Sequence, residues 1–235
     1  VCTTDAEEII NRDDVDIVNI CTPNRLHKDE LLACIKAGKH IYCDKPITGT
    51  WNDAKAVAAA LEGYEGISQM TLNNRFSPVT LRVKQMIDEG FIGKVTQFRA
   101  GFYHAGNITP GKPMGWKQEA GAGGGVINDL ASHVLDLTDY LIGPITEFQA
   151  ISRILYPERP NRAGETVAVE AEDAVSMLAR IEGGGMGVIE ASKISTGIDD
   201  DLRVEIHGDR GAIRFNTMFA NHFEAYDMSD PDAPV

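Results

Sequence analysis

The chain has 235 residues, 43% of them hydrophobic and 24% charged, enough to bury the core of one or two soluble-type domains. With 35 acidic against 22 basic side chains the net charge is −13. That argues against a nucleic-acid partner, which needs clustered Lys and Arg. No apolar run approaches the ~18 residues of a membrane-crossing helix, so no membrane partner is expected.

The four cysteines are Cys2, Cys21, Cys34 and Cys43. None forms a C-x-x-C pair, and Cys21 and Cys43 stand in apolar, strand-like runs. They read as free, buried thiols of a reducing compartment, which points to the cytoplasm. The opening Val1-Cys2-Thr3-Thr4-Asp5 is neither a signal peptide nor a start methionine, so the reading is of a chain cut at its N-terminus, with an export signal upstream left open.

In chain order, Thr4 to Arg12 reads as a short helix with Thr4 as N-cap and acids in its first turn. Asp16 to Thr22 is a β-branched run read as a strand buried on both faces. Leu26 to Ala37 is a helix stopped by Gly38. A strand at His40–Cys43, an Ala-rich helix at Asp53–Leu61 and a strand at Ile67–Leu72 follow. This alternation is the pattern of βαβ units on a parallel sheet. After Asn73 the grammar changes. A helix over Pro78–Glu89 leads to a strand over Val95–Tyr103, a Gly/Pro/Lys-rich loop, and a helix from about Asn128 to Leu141. Strands are then expected at Glu147–Leu155, Asp173–Ile181, Met186–Lys193, Leu202–His207 and Ala212–Phe215. Turns at Glu182–Gly185 and Gly208–Gly211 make hairpins of some of them. The tail Ser229–Pro234 reads as loop that stops short of a natural end. The expected fold is thus part of a Rossmann-type α/β parallel sheet (residues 1–73), followed by an α+β domain with a large open-faced, mainly antiparallel sheet (residues 74–235).

Three places could carry chemistry. Cys21-Thr22-Pro23-Asn24-Arg25-Leu26-His27 ends a strand at the carboxyl edge of the sheet, where helix N-termini point free N–H groups at ligands. An ordinary strand-to-helix connection with Asn24 as a cap is the competing reading. Asp44-Lys45-Pro46 ends the next strand at the same edge; a lysine there faces the crevice a dinucleotide would occupy, but taken alone Lys45 is more often a solvated surface lysine, and its bond to Pro46 is a candidate for cis. On the helix after Gly123-Gly124-Gly125, Leu130, Val134, Leu137 and Leu141 form an apolar stripe, while Asp129, His133 and Asp136 share another face. An acid and an imidazole one turn apart can hydrogen-bond or grip a substrate hydroxyl together. Structural pairing is the alternative, and Asp-x3-His-x2-Asp is too thin a set for an expected metal. Neither glycine cluster satisfies G-x-G-x-x-G after a strand, so a dinucleotide loop would lie upstream of Val1.

The order Cys-Thr-Pro-Asn-x-x-His, Ala-Gly-Lys-His-Ile-x-Cys-Asp-Lys-Pro, Asn-x-Arg-Phe and Gly-Gly-Gly-x-x-x-Asp-x-x-x-His resembles the Gfo/Idh/MocA oxidoreductases, of the glucose–fructose oxidoreductase and inositol dehydrogenase type, from about Val15 to Phe215. The resemblance implies NAD or NADP as cofactor, with Thr22, Pro23, Asn24 and His27 beside it and Asp44, Lys45 and Pro46 lining its nicotinamide side. Arg75 and Trp116 match positions near cofactor or substrate. It also implies that Lys45, Asp129 and His133 meet at the carbinol of a sugar, inositol-like polyol or related hydroxyl compound, and that the chain forms a homo-oligomer through its C-terminal sheet. Asp44 stands where the family usually has glutamate, and the opening Gly-rich unit is absent, about two βαβ units of ~30 residues each.

The residue chemistry agrees. Oxidation of a secondary alcohol needs a base for the hydroxyl proton, and an imidazole with an ordinary pKa near ~6.5 suits His133 to it. Lys45 supplies a cation for the developing oxyanion, and Asp129 can hold a hydroxyl and orient His133. Two rival readings are a hydrolase that uses NAD for transient oxidation during glycoside cleavage, and a non-catalytic ligand-binding paralogue.

Overall fold

The computed structural model describes residues 2–219 and 221–230. A short helix α1 (Ala6–Ile10) opens it, and its N-cap is Asp5, not Thr4, because the Asp5 carboxylate accepts from the Glu7 amide at 3.0 Å. Strands β1 (Ile17–Ile20), β2 (His40–Cys43) and β3 (Ser68–Met70) then form a parallel three-stranded sheet in that order. Helices α2 (Asn24–Lys36) and α3 (Trp51–Ala60) connect them. Thr50 caps α3 two residues earlier than the sequence suggests, its hydroxyl accepting from the Asp53 amide.

Strand β1 is not buried on both faces. Side chains alternate across a strand, and the buried set, Ile20, Ile41 and Cys43 with Leu31, Cys34 and Val57 from the helices, lies on one face only. On the other face Ile17 is 62% exposed and Tyr42 43%. Cys21 falls just past the end of β1 and is exposed, as is Cys2, so only two of the four thiols are buried. Burial pushes the Cys34 thiol up to about 11 and the Cys43 thiol up to about 12, which keeps both protonated and unreactive.

A 3-10 turn (Asn73–Phe76) leads into α4 (Pro78–Asp88), which Ser77 caps and where Pro78 occupies the first turn without losing a helical hydrogen bond. Strand β4 (Val95–Tyr103) enters a seven-stranded sheet, followed by a π-turn (Ile127–Ala131) continuous with α5 (Ser132–Ile142). The remaining strands are β5 (Ile145–Arg153), β6 (Glu158–Pro160), β7 (Thr166–Ala168), β8 (Ala174–Ile181), β9 (Met186–Ser192), β10 (Asp201–Gly208), β11 (Gly211–Asn216) and β12 (Phe223–Asp227). The large sheet runs β12-β11-β10-β4-β9-β8-β5, with every neighbour antiparallel except β4 and β9. The β8–β9 and β10–β11 hairpins form at the glycine turns. The small β6–β7 ladder and edge strand β12 have too little periodicity to be read from sequence. Of the tail, Ser229 closes a turn onto the Asp227 carboxylate, and residues 231–234 lie outside the described residues.

Helices α4 and α5 cover one face of this sheet. Leu130, Val134, Leu137 and Leu141, the stripe on the second helix, are all buried against Phe98, Ala100, Ile189, Ala191 and Val204. The other face is open: Leu178 is 63% exposed and Met186 58%. Leu137 is fully buried at the centre of the covered face. Leu137→Ala is expected to cost about 2–5 kcal/mol, read as a fall in the urea midpoint at unchanged m-value.

Candidate active site

Parallel pairing places Ile20 of β1 opposite Cys43 of β2, so both strands end at the same edge and deliver Thr22–Asn24 and Asp44–Pro46 side by side. His27, fully buried in α2, ties these two loops together. Its ring lies between the carbonyl oxygens of Pro46 (2.9 Å) and Thr22 (2.8 Å). The Asp44 carboxylate accepts from the Lys45 amide (2.9 Å) and from Thr71 Oγ1 (2.7 Å), which joins the end of β2 to the segment after β3. The Lys45–Pro46 bond is cis. Lys45 therefore leaves a loop pinned from both sides.

The other half of the site comes from the start of the α5 region. The π-turn has a wider ring than the α-helix, a local irregularity that recurs at functional sites. There the Asp129 main-chain carbonyl accepts from Lys45 Nζ at 2.6 Å, and Asp129 Oδ1 accepts from the same ammonium at 2.9 Å. Two further lysines converge on this carboxylate: Lys193 at the end of β9 (2.8 Å to Oδ2) and Lys117 in the loop before the glycines (3.1 Å to Oδ1 and 3.0 Å to Oδ2). Burial opposes ionisation of Asp129, but the ammonium groups of Lys193 and Lys45 outweigh it and hold the carboxyl well below the usual carboxylate range. For Lys193 the balance goes the other way: burial lowers its pKa, and Asp129 only partly offsets this.

His133 lies one turn further along, with its ring edge-on to Phe102 at 5.9 Å between centroids. Its Nδ1 is buried, and among the described residues it has no hydrogen-bond partner. Asp129 is turned to the lysines instead of to His133. Burial, reinforced by the Lys45 charge, lowers the imidazole from its ordinary 6.5 to about 4, against the opposing pull of Asp129 and Asp44. His133 is thus a neutral base near pH 7.

The remaining sequence-derived positions sit around this centre. Thr22 donates to Glu30 Oε2 at 2.6 Å, beside Pro23, which caps α2 without a side-chain hydrogen bond. Asn24 is the first residue of α2 and not its cap; its buried amide donates across to the Gly123 carbonyl at 2.8 Å. Arg75 pairs with Asp136, Nε to Oδ2 at 2.8 Å, and stacks over Tyr140. Trp116 packs under the Lys117 ammonium, 5.7 Å from its ring centre. Lys193 and Lys117 escaped the sequence reading. Lys117 adjoins Trp116, but nothing in the spacing around Lys193 marks it, since only the end of β9 brings it to Asp129.

The glycines before the helix have a contact role. Gly123 is left-handed (φ 76°), and a Cβ there would stand 2.6 Å from the Gly49 Cα and 2.9 Å from the Asn24 Cβ. A hollow of about 750 Å³, lined by Arg99, Tyr103, Glu190, Arg203 and Arg214 among others, lies on the opposite, open face of the large sheet. Strand alternation separates it from Phe102 and His133, and the charged groups converge at Asp129 instead, which marks the candidate site. Among the described residues, no group of three or more His, Cys, Asp and Glu could hold a metal, and no helix is long and apolar enough to cross a membrane.

Because the folded site refuses a proton on His133 until about pH 4, whereas the unfolded chain takes one up near 6.5, the unfolded state binds more protons in that window and stability falls as pH drops through it. His133→Gln is expected to flatten this part of the pH–stability curve, by at most about 3 kcal/mol, as measured by urea unfolding from pH 7 to pH 4.

Comparison with known proteins places the chain in a family. Residues 1–71 match the model of the oxidoreductase family with an NAD-binding Rossmann fold, and residues 80–214 match the GFO/IDH/MocA C-terminal domain. Levoglucosan dehydrogenase of Pseudarthrobacter phenanthrenivorans is 33% identical over 228 residues, covering 91% of this chain and 58% of that protein. Myo-inositol 2-dehydrogenase of Thermotoga maritima is 27% identical over 211 residues, covering 89% of this chain and 59% of that one. A solved levoglucosan dehydrogenase in complex with NADH and levoglucosan superposes with a TM-score of 0.94 at 32% identity, over 98% of this chain and 62% of the other. The chain thus spans about three-fifths of the length of these relatives. On its sequence and its fold, it belongs to the Gfo/Idh/MocA oxidoreductase family.

Proposed function

We propose that this chain carries the proton-handling site of an NAD- or NADP-dependent dehydrogenase that oxidises a secondary hydroxyl of a sugar, polyol or related compound. The observation that carries the reading is the meeting of Lys45, from the edge of the parallel sheet, with Asp129, beside a neutral His133 whose Nδ1 has no hydrogen-bond partner among the described residues. Levoglucosan and inositol dehydrogenases among the relatives support the substrate class. We divide the chain at residue 73, giving a dinucleotide-binding part (1–73) and a substrate-binding part (74–235), so that the active site forms where they touch.

The residues at the sheet edge fit the nicotinamide end of a dinucleotide. The first turn of α2 has no side-chain cap and so keeps N–H groups for a ligand, with Thr22, Pro23 and Asn24 around it. Asp44, Lys45 and Pro46 flank the same edge, His27 keeps the two loops in register, and Arg75 and Trp116 border the substrate side. When bound, the nicotinamide supplies the hydride acceptor. The protein's own work is with the proton and the charge. Lys45 Nζ donates to the carbinol oxygen and stabilises negative charge as it develops there. His133 Nε2, the ring nitrogen that is not sealed off, takes the hydroxyl proton. Asp129 holds Lys45 at that position.

In the full-length protein, Lys45→Met and His133→Ala are each expected to lower kcat about 10²–10⁴-fold, measured as NADH or NADPH formation across a panel including levoglucosan and myo-inositol. Full turnover in either variant would overturn the role. Net accumulation of reduced cofactor separates a dehydrogenase from a hydrolase that recycles it.

A homo-oligomer built on the open face of the large sheet belongs to the same reading. Ile151, Leu178 and Met186 are 78%, 63% and 58% exposed there, and an apolar sheet face of this kind is covered in a stable assembly. Leu178→Glu is expected to shift the full-length protein to monomer in sedimentation velocity; an unchanged sedimentation coefficient counts against the face. The buried, protonated thiols suit a cytoplasmic protein.

A further inference from the structure

The charge count at Asp129 does not close. Lys45, Lys117 and Lys193 place three ammonium groups within 3.1 Å of one carboxylate, a local excess of two positive charges in a chain whose net charge is −13. The neighbouring acids are engaged elsewhere. Asp44 takes the Lys45 amide and Thr71, Glu172 takes the Ile127 amide, and Asp173 takes Asn107 and the Leu155 amide. Among the described residues, none of the three pairs its side chain with a lysine ammonium of the cluster.

Lone pairs tell the same story. An ionised carboxylate offers about four acceptor positions, and the lysine contacts fill them: Lys45 and Lys117 on Oδ1, Lys117 and Lys193 on Oδ2. Asp129 has no acceptor left for a sugar hydroxyl. What remains open is donors. Lys193 is only 9% exposed, yet among the described residues its ammonium faces one acceptor, Asp129 Oδ2. A buried ammonium with unused N–H groups is costly unless an acceptor reaches it.

Resting on the dehydrogenase reading, we propose that Lys193 and Lys117 form a carboxylate-binding subsite, and that the substrate is an acidic sugar whose carboxylate sits beside the carbinol. The two excess charges then have separate tasks: Lys45 faces the oxyanion that develops during oxidation, and the charge left on Lys117 and Lys193 after Asp129 matches one carboxylate. A dianionic phosphate would overfill it.

The test uses the full-length protein and the matched pairs D-glucuronate against D-glucose and D-galacturonate against D-galactose, with glucose 6-phosphate as a third arm. Calorimetric titration is expected to show at least one acid binding ten or more times tighter than its neutral partner and tighter than the phosphate. Lys117→Met and Lys193→Met are each expected to cut that acid-to-neutral ratio at least tenfold, whatever they do to the common rate. Lys117 is on the surface, so its variant keeps the test valid if the Lys193 variant fails to fold. Equal binding of acids and neutral sugars, tighter binding of the phosphate, or a ratio unmoved by Lys117→Met overturns the subsite. Selective acid binding with no cofactor reduction by any sugar keeps the subsite and sinks the dehydrogenase reading instead.

Discussion

One carboxylate organises the candidate site. Asp129 receives Lys45 from the edge of the parallel sheet, Lys193 from the end of a strand in the large sheet and Lys117 from the intervening loop. These segments are far apart in sequence, and each brings a positive charge that would repel the others without the acid between them. At ~3 Å and partial burial such attractions are strong enough to set geometry. The cost is that Asp129 is no longer available to orient His133, whose ring is left neutral and open on one nitrogen.

Close backbone approach makes that convergence possible. Gly49 and Gly123 touch through their main chains, and Asn24 reaches across to the Gly123 carbonyl. A side chain at Gly123 would stand 2.6 Å from the Gly49 Cα, so the loop carrying Lys117 and the loop carrying Lys45 meet this closely because Gly123 has no Cβ. The glycine run that failed as a phosphate loop works here as a contact between the two halves of the chain.

The large sheet separates two surfaces by strand alternation. Along β4, Phe98, Ala100 and Phe102 face the helices, and Phe102 carries contact on to His133. Arg99 and Tyr103 face the opposite, open side and its large hollow. Side chains on the two faces can therefore change independently, because neighbouring residues of one strand serve opposite faces.

Element types, their order and the apolar stripe of α5 were legible in the sequence, because period and turn chemistry are local properties. The motifs shared with the Gfo/Idh/MocA family singled out Lys45, Asp129 and His133, but they paired Asp129 with His133, and its ion pair with Lys45 was not legible. The exposed side of β1 was not legible, since a β-branched run looks the same whether one face or both are covered. Nor were Asp5 as the helix cap, the short β6–β7 ladder, or the π-turn that presents the Asp129 carbonyl to Lys45. Lys193 shows the boundary most plainly. In sequence it is an ordinary lysine after a strand. Only the stacking of β9 beneath the start of α5 decides that its charge is buried against Asp129, because burial and partnership belong to what the folded chain brings together and not to any residue's neighbours along it.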